Sequence, residues 1–374
     1  MRKTENFLTF LPISDRIDGA TQKMEGANSV AQQTVKVGII GAGGNTRSRH
    51  IPGLQAIEGV EIIGVCNRSQ ESSQRVADEF GIPKTYDNWQ DAIGDPDTNA
   101  IVIGTWPYMH CQATVAALRA DKHVMCEARM AMNAKEAHIM RIASCQKTHL
   151  IAQIVPSPMT LRVDNTIKRL IAEGYIGDVL AIEARVGGAF LDSESALQWR
   201  QDFDLSGLNI MSMGIWYEAL MRWVGEATQI MAMGKTFVKM RPDADGVMRS
   251  VRIPEHIDVV GDLACGAQLH IQVSNVAGLA GAPEVYIFGS NGTLRFSGNK
   301  LYGGQKGDTE LSEIDIPDSE AGGWRVEEEF VNAIRGEEVI THTDFDTGVK
   351  YMEFTEAVTR SMQSGTAISL PLHI

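Results

Sequence analysis

The chain has 374 residues, is 44% hydrophobic and 22% charged, and carries a formal net charge of −13. That length suggests two domains, each with a substantial core. A chain this acidic repels phosphate backbones, which argues against a nucleic-acid partner. The five cysteines (Cys66, Cys111, Cys126, Cys145 and Cys265) are odd in number and form no CxxC pair. They predict a reduced, cytoplasmic protein with no disulfide framework and no metal site. No apolar stretch reaches the ~18 residues of a membrane span, so no membrane partner is expected.

Residues 1–34 hold one short apolar run, Phe7 to Ile13, broken by Pro12. Their balanced charges fit a transit peptide poorly, and they read as an N-terminal arm, packed on a partner subunit or disordered. Val35 to Ile40 is then an apolar run that breaks into Gly41, Gly43 and Gly44. This predicts a buried parallel strand, a tight turn and a helix start. Gly41 supplies a positive φ, and Gly43 permits close backbone approach to a pyrophosphate. Asn45 and Thr46 open the helix, whose N-terminal N–H groups face that anion. Thr46 holds the third position of the G-x-G-x-x-G/A fingerprint, so helix and strand are expected to sit slightly further apart.

Further strand–helix alternation follows. Strands are expected at Val60 to Cys66, near Tyr86, at Ala100 to Gly104, at His123 to Cys126 and at Leu150 to Val155. Helices are expected at Glu71 to Phe80, Met109 to Ala120 and Asn133 to Thr148. The pattern predicts an α/β Rossmann domain over 35–155, with its ligand outside the carboxyl ends of the strands. Pro156-Ser157-Pro158 marks the boundary. After a helix at Val163 to Glu173, strand-like segments run at Val179 to Val186, Thr228 to Lys239, His256 to Val260, Ala267 to Val273, Glu284 to Gly289 and Gly292 to Phe296. Loops join them, which predicts an α+β domain over 156–374 with a large open, mostly antiparallel sheet. Trp324 to Arg335 and Thr347 to Gly365 are its late helices.

An Asp or Glu for the NAD ribose is expected ~20 residues past the glycines, at the end of the second strand. Asn67, Arg68 and Ser69 stand there instead. Losing the carboxylate removes repulsion against a 2′-phosphate, and Arg68 and Ser69 can bind one. The cofactor is therefore read as NAD or NADP, leaning to NADP. The alternative is that Asn67 bonds the NAD ribose while Arg68 stacks on adenine.

Asp121 to Ala137 (DKHVMCEARMAMNAKEA) resembles the GKHVLCEKPLALT segment of the glucose–fructose oxidoreductase / inositol dehydrogenase / MocA (Gfo/Idh/MocA) family. Thr105 to His110 (TWPYMH) is similar to that family's TPNxxH turn, and Gly174 to Val179 to its G-x-I-G-x-V helix exit. Trp199-Arg200 with Ser206-Gly207 resembles its W-R…S-G-G-G loop, and Gly289 to Gly292 its late G-x-x-G hairpin. The resemblance covers residues 35 to about 365. It implies a tightly held nicotinamide and hydride exchange with a sugar, cyclitol or related polyol. It also implies a homodimer or homotetramer formed through the open sheet. Cofactor contacts are expected from Thr105, Trp106, His110, Glu127, Trp199 and Arg200.

The chain departs from the family where protons move. Ala128 stands at the lysine of E-K-P and Arg129 at its proline, while Ser212 and Trp216 replace the Asp and His of D-x-G-x-H. Arg129 stays protonated and cannot act as a base, but it can clamp an anionic or polar substrate group. The remaining acid/base candidates are Tyr217, His110 and Glu127. Tyr217 is either a phenolic acid/base or a core tyrosine. His110 has a suitable unperturbed pKa but equally fits packing or capping. Glu127 is a cofactor-positioning residue first and a base second. Trp106, Trp199 and Trp216 form either aromatic walls for a sugar ring or core packing. Three functions follow: an NAD(P)-dependent oxidoreductase on a carbohydrate-like alcohol or ketone, a redox-neutral glycoside-cleaving enzyme, or a non-catalytic nicotinamide sensor.

Overall fold

The computed structural model describes residues 34–373. The arm expected over 1–34 lies outside the described residues apart from Thr34. Strand β1 (Val35–Ile40) is almost wholly buried, as a central parallel strand covered on both faces must be. The glycine turn leads into a π-helical turn, Thr46–His50, and then α1 (Ile51–Gln55). There follow β2 (Val60–Cys66), α2 (Gln70–Phe80), β3 (Lys84–Thr85), α3 (Trp89–Gly94) and β4 (Ala100–Ile103). Next come α4 (Pro107–Arg119), β5 (His123–Cys126), α5 (Ala134–Cys145) and β6 (Ala152–Ile154). All six strands are parallel, in the order β3-β2-β1-β4-β5-β6. The order reverses between β1 and β4, and there the carboxyl ends of the strands open a crevice.

Local chemistry sets the helix ends. The Ser69 and Asn133 side chains accept from the Ser72 and Glu136 N–H groups and cap α2 and α5. The third strand lies just before Tyr86 rather than on it. Tyr86 is buried over Gly64, where a Cβ would fall 2.4 Å from the ring, and its hydroxyl donates to Asp95 at 2.8 Å.

Beyond α6 (Asp164–Ala172) the chain builds β7 (Val179–Gly188), α7 (Phe203–Ser206), α8 (Met213–Val224) and β8 (Ala227–Lys235). It continues with β9 (Met240–Pro242), β10 (Met248–Ser250), β11 (His256–Leu263), β12 (Gln268–Gly278) and β13 (Glu284–Gly289). The last elements are β14 (Gly292–Ser297), β15 (Lys300–Gln305), β16 (Ser312–Ile314), α9 (Val326–Arg335), α10 (Phe345–Ser364) and β17 (Ile368–Ser369). A nine-stranded sheet runs β16-β15-β14-β13-β7-β12-β11-β8-β17, antiparallel except at β7/β12. The two sheets confirm the expected α/β plan, with a parallel Rossmann sheet followed by a large, mostly antiparallel one.

One expected detail changes. The strand expected over Thr228 to Lys239 ends at Lys235, because the Glu255 carboxylate accepts from both Phe237 and Val238 N–H (2.8 and 2.9 Å) and turns the chain toward β9. Gly303 and Gly304 lie within β15, where a Cβ on Gly303 would fall 2.5 Å from Ile314.

Packing runs across the boundary expected at 156. Helix α9 returns to the first sheet and buries Val326, Phe330, Val331 and Ile334 with Val35, Val37, Ile51 and Leu54. The Gln153 amide, at the end of that sheet, donates to Glu329 of α9 at 2.8 Å.

Candidate active site

The crevice starts at Gly41. Its φ is +86°, its N–H donates to the Cys66 carbonyl at 2.8 Å, and a Cβ there would lie 2.6–2.9 Å from Thr105 and Gly104. Gly43 and Gly44 are exposed, and a Cβ on Gly44 would meet nothing within 4 Å, so their backbone is open to a ligand. Thr46 does not push helix and strand apart. Its hydroxyl donates to the Gly41 carbonyl at 3.2 Å and sits where a Cβ on Gly104 would come within 2.0 Å. The glycine missing from the helix is supplied by the neighbouring strand end.

A cavity of about 400 Å³ lies over this turn, lined by Gly41, Gly43, Asn67, Arg68, Thr105 and Trp106 among others. The Asn67 amide oxygen accepts from Ala42 N–H at 2.7 Å, and its amide nitrogen donates to Ser72. Asn67 therefore braces the glycine turn. Arg68 is exposed, with its guanidinium 4.7 Å from the Trp106 ring centroid.

Trp106 stacks on Trp199 with centroids 6.1 Å apart, which brings the two sheets' loops together. The Trp199 loop is pinned by Ser206 Oγ donating to the Trp199 carbonyl at 2.9 Å and by Leu208 N–H donating to the Met132 carbonyl at 2.8 Å. Asn209 adds a bond to the Ala131 carbonyl at 2.9 Å. The Arg200 guanidinium lies over the Trp199 ring, 4.2 Å from its centroid. It also lines a second cavity of about 400 Å³ with Ser195, Ser212, Arg241, Glu255 and Asn275. The stacked tryptophans thus sit between two hollows, one at the glycine turn and one on the second domain.

Glu127 directly follows β5 and is bonded through both carboxylate oxygens. Its Oε1 accepts from Asn45 and faces His50 Nε2 at 2.9 Å, while Oε2 accepts from Ala128 N–H at 3.0 Å. The other ring nitrogen of His50, Nδ1, meets Glu327 of α9 at 2.5 Å. Burial by itself would lower the His50 pKa. The hydrogen bonds and charges of Glu127 and Glu327 outweigh it and raise the pKa to about 9. Burial pushes Glu127 the other way, toward neutrality, but His50 and the other donors hold its carboxyl below the usual range. The result is a buried carboxylate–imidazolium–carboxylate chain whose outer end reaches the crevice.

Two acid/base candidates are corrected by their surroundings. Tyr217 is 1% exposed, stacks on Phe354 with centroids 3.6 Å apart, and accepts from Ala227 N–H at 2.8 Å. Burial drives its pKa up, and the hollow it borders contains neither Glu127 nor Arg200. It is a core tyrosine. His110 is fully buried, with Nδ1 2.9 Å from the Arg129 carbonyl and Nε2 3.0 Å from the Thr105 carbonyl. Burial lowers its pKa. It clips the Thr105 turn to the Arg129 turn. Trp216 is likewise core, packed on Phe296, which leaves Trp106 and Trp199 as the stacked aromatic pair beside the crevice. Tyr217→Phe should leave turnover within about twofold of wild type. It should cost about 1–3 kcal/mol in urea unfolding, because the buried Ala227 N–H loses its acceptor. A large fall in turnover at unchanged stability would contradict the core role.

Ser69 caps α2, and Thr105, Trp106, Glu127, Trp199 and Arg200 lie around the crevice. His50, Glu327 and Gly104 are the participants that sequence reasoning did not single out. His50 lies one π-turn beyond the glycines, so its position near the cradle was available from spacing. Nothing local marks Glu327, 277 residues away.

The fold and site define a Rossmann domain with an appended open-sheet domain and a glycine cradle at their junction. A family model described as an oxidoreductase family with an NAD-binding Rossmann fold matches residues 35–154, and the Gfo/Idh/MocA C-terminal domain model matches residues 165–295. The chain belongs to the Gfo/Idh/MocA family. It is 25% identical over 237 residues to glucose-6-phosphate 3-dehydrogenase of Bacillus subtilis, covering 61% of this chain and 64% of that one. It is 30% identical over 224 residues to 1,5-anhydro-D-fructose reductase of Ensifer adhaerens, covering 58% and 65%. The matches thus span less than two thirds of these relatives' lengths. Among solved structures, levoglucosan dehydrogenase with NADH and L-sorbose superposes with a TM-score of 0.81 at 20% identity, over 90% of this chain and 99% of that one. WlbA dehydrogenase from Bordetella pertussis, with NADH and UDP-GlcNAcA, gives 0.74 at 19% identity over 91% and 100%. At such identities these likenesses show the fold alone. No helix among the described residues is long and apolar enough to cross a membrane.

Proposed function

We propose that the protein is an NAD(P)-dependent oxidoreductase that exchanges a hydride with an alcohol or ketone carbon of a carbohydrate-like substrate. The observation that carries this reading is the glycine turn at Gly41–Gly44 at the switch point, where Gly43 and Gly44 leave the backbone open beside a cavity bordered by Trp106. Gly41, Gly43, Gly44, Asn45 and Thr46 would hold the pyrophosphate, with Arg68 and Ser69 at the adenosine end. Thr105, Trp106, Glu127, Trp199 and Arg200 would border the nicotinamide. The bound nicotinamide supplies the hydride chemistry. The chain's own residues orient the substrate and move the hydroxyl proton. With Ala128 in place of a lysine, the coupled Glu127–His50 pair is the titratable unit left to pass the hydroxyl proton, with Glu327 behind it. The exposed apolar side chains Met231, Met233 and Val260, on one face of the large sheet, support a homo-oligomer through that face.

The missing carboxylate at Asn67 and the exposed Arg68 support the lean to NADP. Titration by nicotinamide fluorescence should show tight NADPH binding that Arg68→Ala weakens about 10-fold, with NADH affinity changed much less. Equal losses for the two nucleotides would remove the NADP preference. Binding of neither would overturn the oxidoreductase reading itself.

Ala128 also favours a second reading, redox-neutral cleavage of a glycosidic bond with no net cofactor turnover. Product accumulation at constant nicotinamide absorbance supports it. Stoichiometric NAD(P)H formation or consumption excludes it.

A further inference from the structure

Arg129 is a buried cation that the described residues leave unbalanced. It is 3% exposed, and its Nε and Nη2 are buried without a hydrogen-bond partner. Among the described residues, no carboxylate pairs with it. The nearest acid, Glu127, is already committed to His50, Asn45 and the Ala128 N–H. The Tyr351 hydroxyl nearby accepts from Met130 N–H, and burial keeps that phenol neutral. Arg200 adds a second positive charge. Burial first, and Arg200 second, push the Arg129 pKa down to about 10, so the guanidinium is still charged at neutral pH. The face of Trp199 lies 5.7 Å from it, and its stem runs beside Gly214, two residues after Ser212 of the second cavity.

An unpaired buried charge is unfavourable, and a hydrophobic side chain of the same volume would be more stable there. A planar fork held in that state matches an oxyanion bidentately. We propose that Arg129, seconded by Arg200, forms a subsite for an anionic group carried by the carbohydrate substrate, a carboxylate or a phosphate. This rests on the oxidoreductase reading for the identity of the substrate's carbon skeleton. The charge recognition is tested separately.

The test is a thermal-shift and calorimetric series on the full chain, with and without saturating NADH or NADPH. The ligands are D-glucuronate, D-glucose 6-phosphate and neutral D-glucose. Wild type should bind at least one anion about 10- to 100-fold more tightly than glucose. Whichever anion binds identifies the group as carboxylate or phosphate. Arg129→Met should melt higher than wild type without ligand, lose the anion preference, and keep its nicotinamide affinity. Arg129→Lys retains charge without the fork and should keep a weaker preference. The proposal is overturned if neither anion outbinds glucose. It is also overturned if Arg129→Met melts lower while keeping the preference, or if its nicotinamide affinity falls as far as its anion affinity. Absent nicotinamide binding, with the anion preference intact in the free protein, would count against the oxidoreductase reading and not against this subsite.

Discussion

Gly104→Ala is expected to disable nucleotide binding more completely than any exposed substitution in the crevice. The added methyl would lie 2.0 Å from Thr46 Oγ1 and 2.3 Å from the Gly41 carbonyl. Neither can retreat independently, because Thr46 is 1% exposed and bonded to that same carbonyl. Overpacking of this kind costs about 3 kcal/mol. It also moves the turn whose geometry the dinucleotide would read, so nicotinamide affinity should fall by about 100-fold or more. Thr46→Ala combined with Gly104→Ala should recover part of the stability and less of the binding, since the clash with the Gly41 carbonyl remains. The measurements are urea unfolding and fluorescence titration of both variants. Wild-type affinity in Gly104→Ala would show that the cradle does not depend on this close approach.

The second large effect concerns His50. Its pKa is raised from 6.5 to about 9 in the folded chain. A group that binds its proton more tightly when folded stabilises the fold fully below its unfolded value and loses that contribution as pH rises through its folded value. Stability should therefore decline between about pH 6.5 and pH 9, by about 3 kcal/mol at one pKa unit per ~1.4 kcal/mol. Glu127, held low, behaves in the opposite sense: its contribution is present above the usual carboxylate range and is lost in acid. The melting temperature measured from pH 6 to 9.5 should fall in wild type. In His50→Gln it should start lower and vary less, because two carboxylates then lie buried without a cation, a loss of about 3–5 kcal/mol. If Glu127 handles the substrate proton, the variant should also lose the high-pH limb of kcat. A pH-independent melting temperature in wild type would show that His50 is not charged in the folded state.

Much of the fold was legible because its signals are local. Val35 to Gly44 carries its strand, turn and helix start within ten residues, and the strand ends at Cys66 and Cys126 follow from apolar runs that stop at polar groups. The later sheet was legible as strands but not at its edges. Gly303 earns its place through Ile314 and Tyr175, which are distant in the chain. Helix α8 buries nine of its twelve residues, Glu218 among them, so little of it faces solvent. The crevice was legible where the backbone makes it and obscure where side chains from separate elements meet. Tyr217 could be placed beside the site from its neighbour Trp216, yet the helix turns its ring toward Phe354. His50 gains its chemistry only because α9 delivers Glu327.

The return of α9 also bears on the order in which the protein can be made. Ribosomes release the amino-terminal half first. For as long as residues beyond 325 are still unsynthesised, Val35, Val37, Ile51 and Leu54 lack the helix that finally buries them. His50 likewise lacks its second carboxylate. Until α9 has been made, a nascent chain therefore carries the first sheet with one incomplete face. The imidazole–carboxylate chain beside the glycine turn is likewise closed only once α9 has packed.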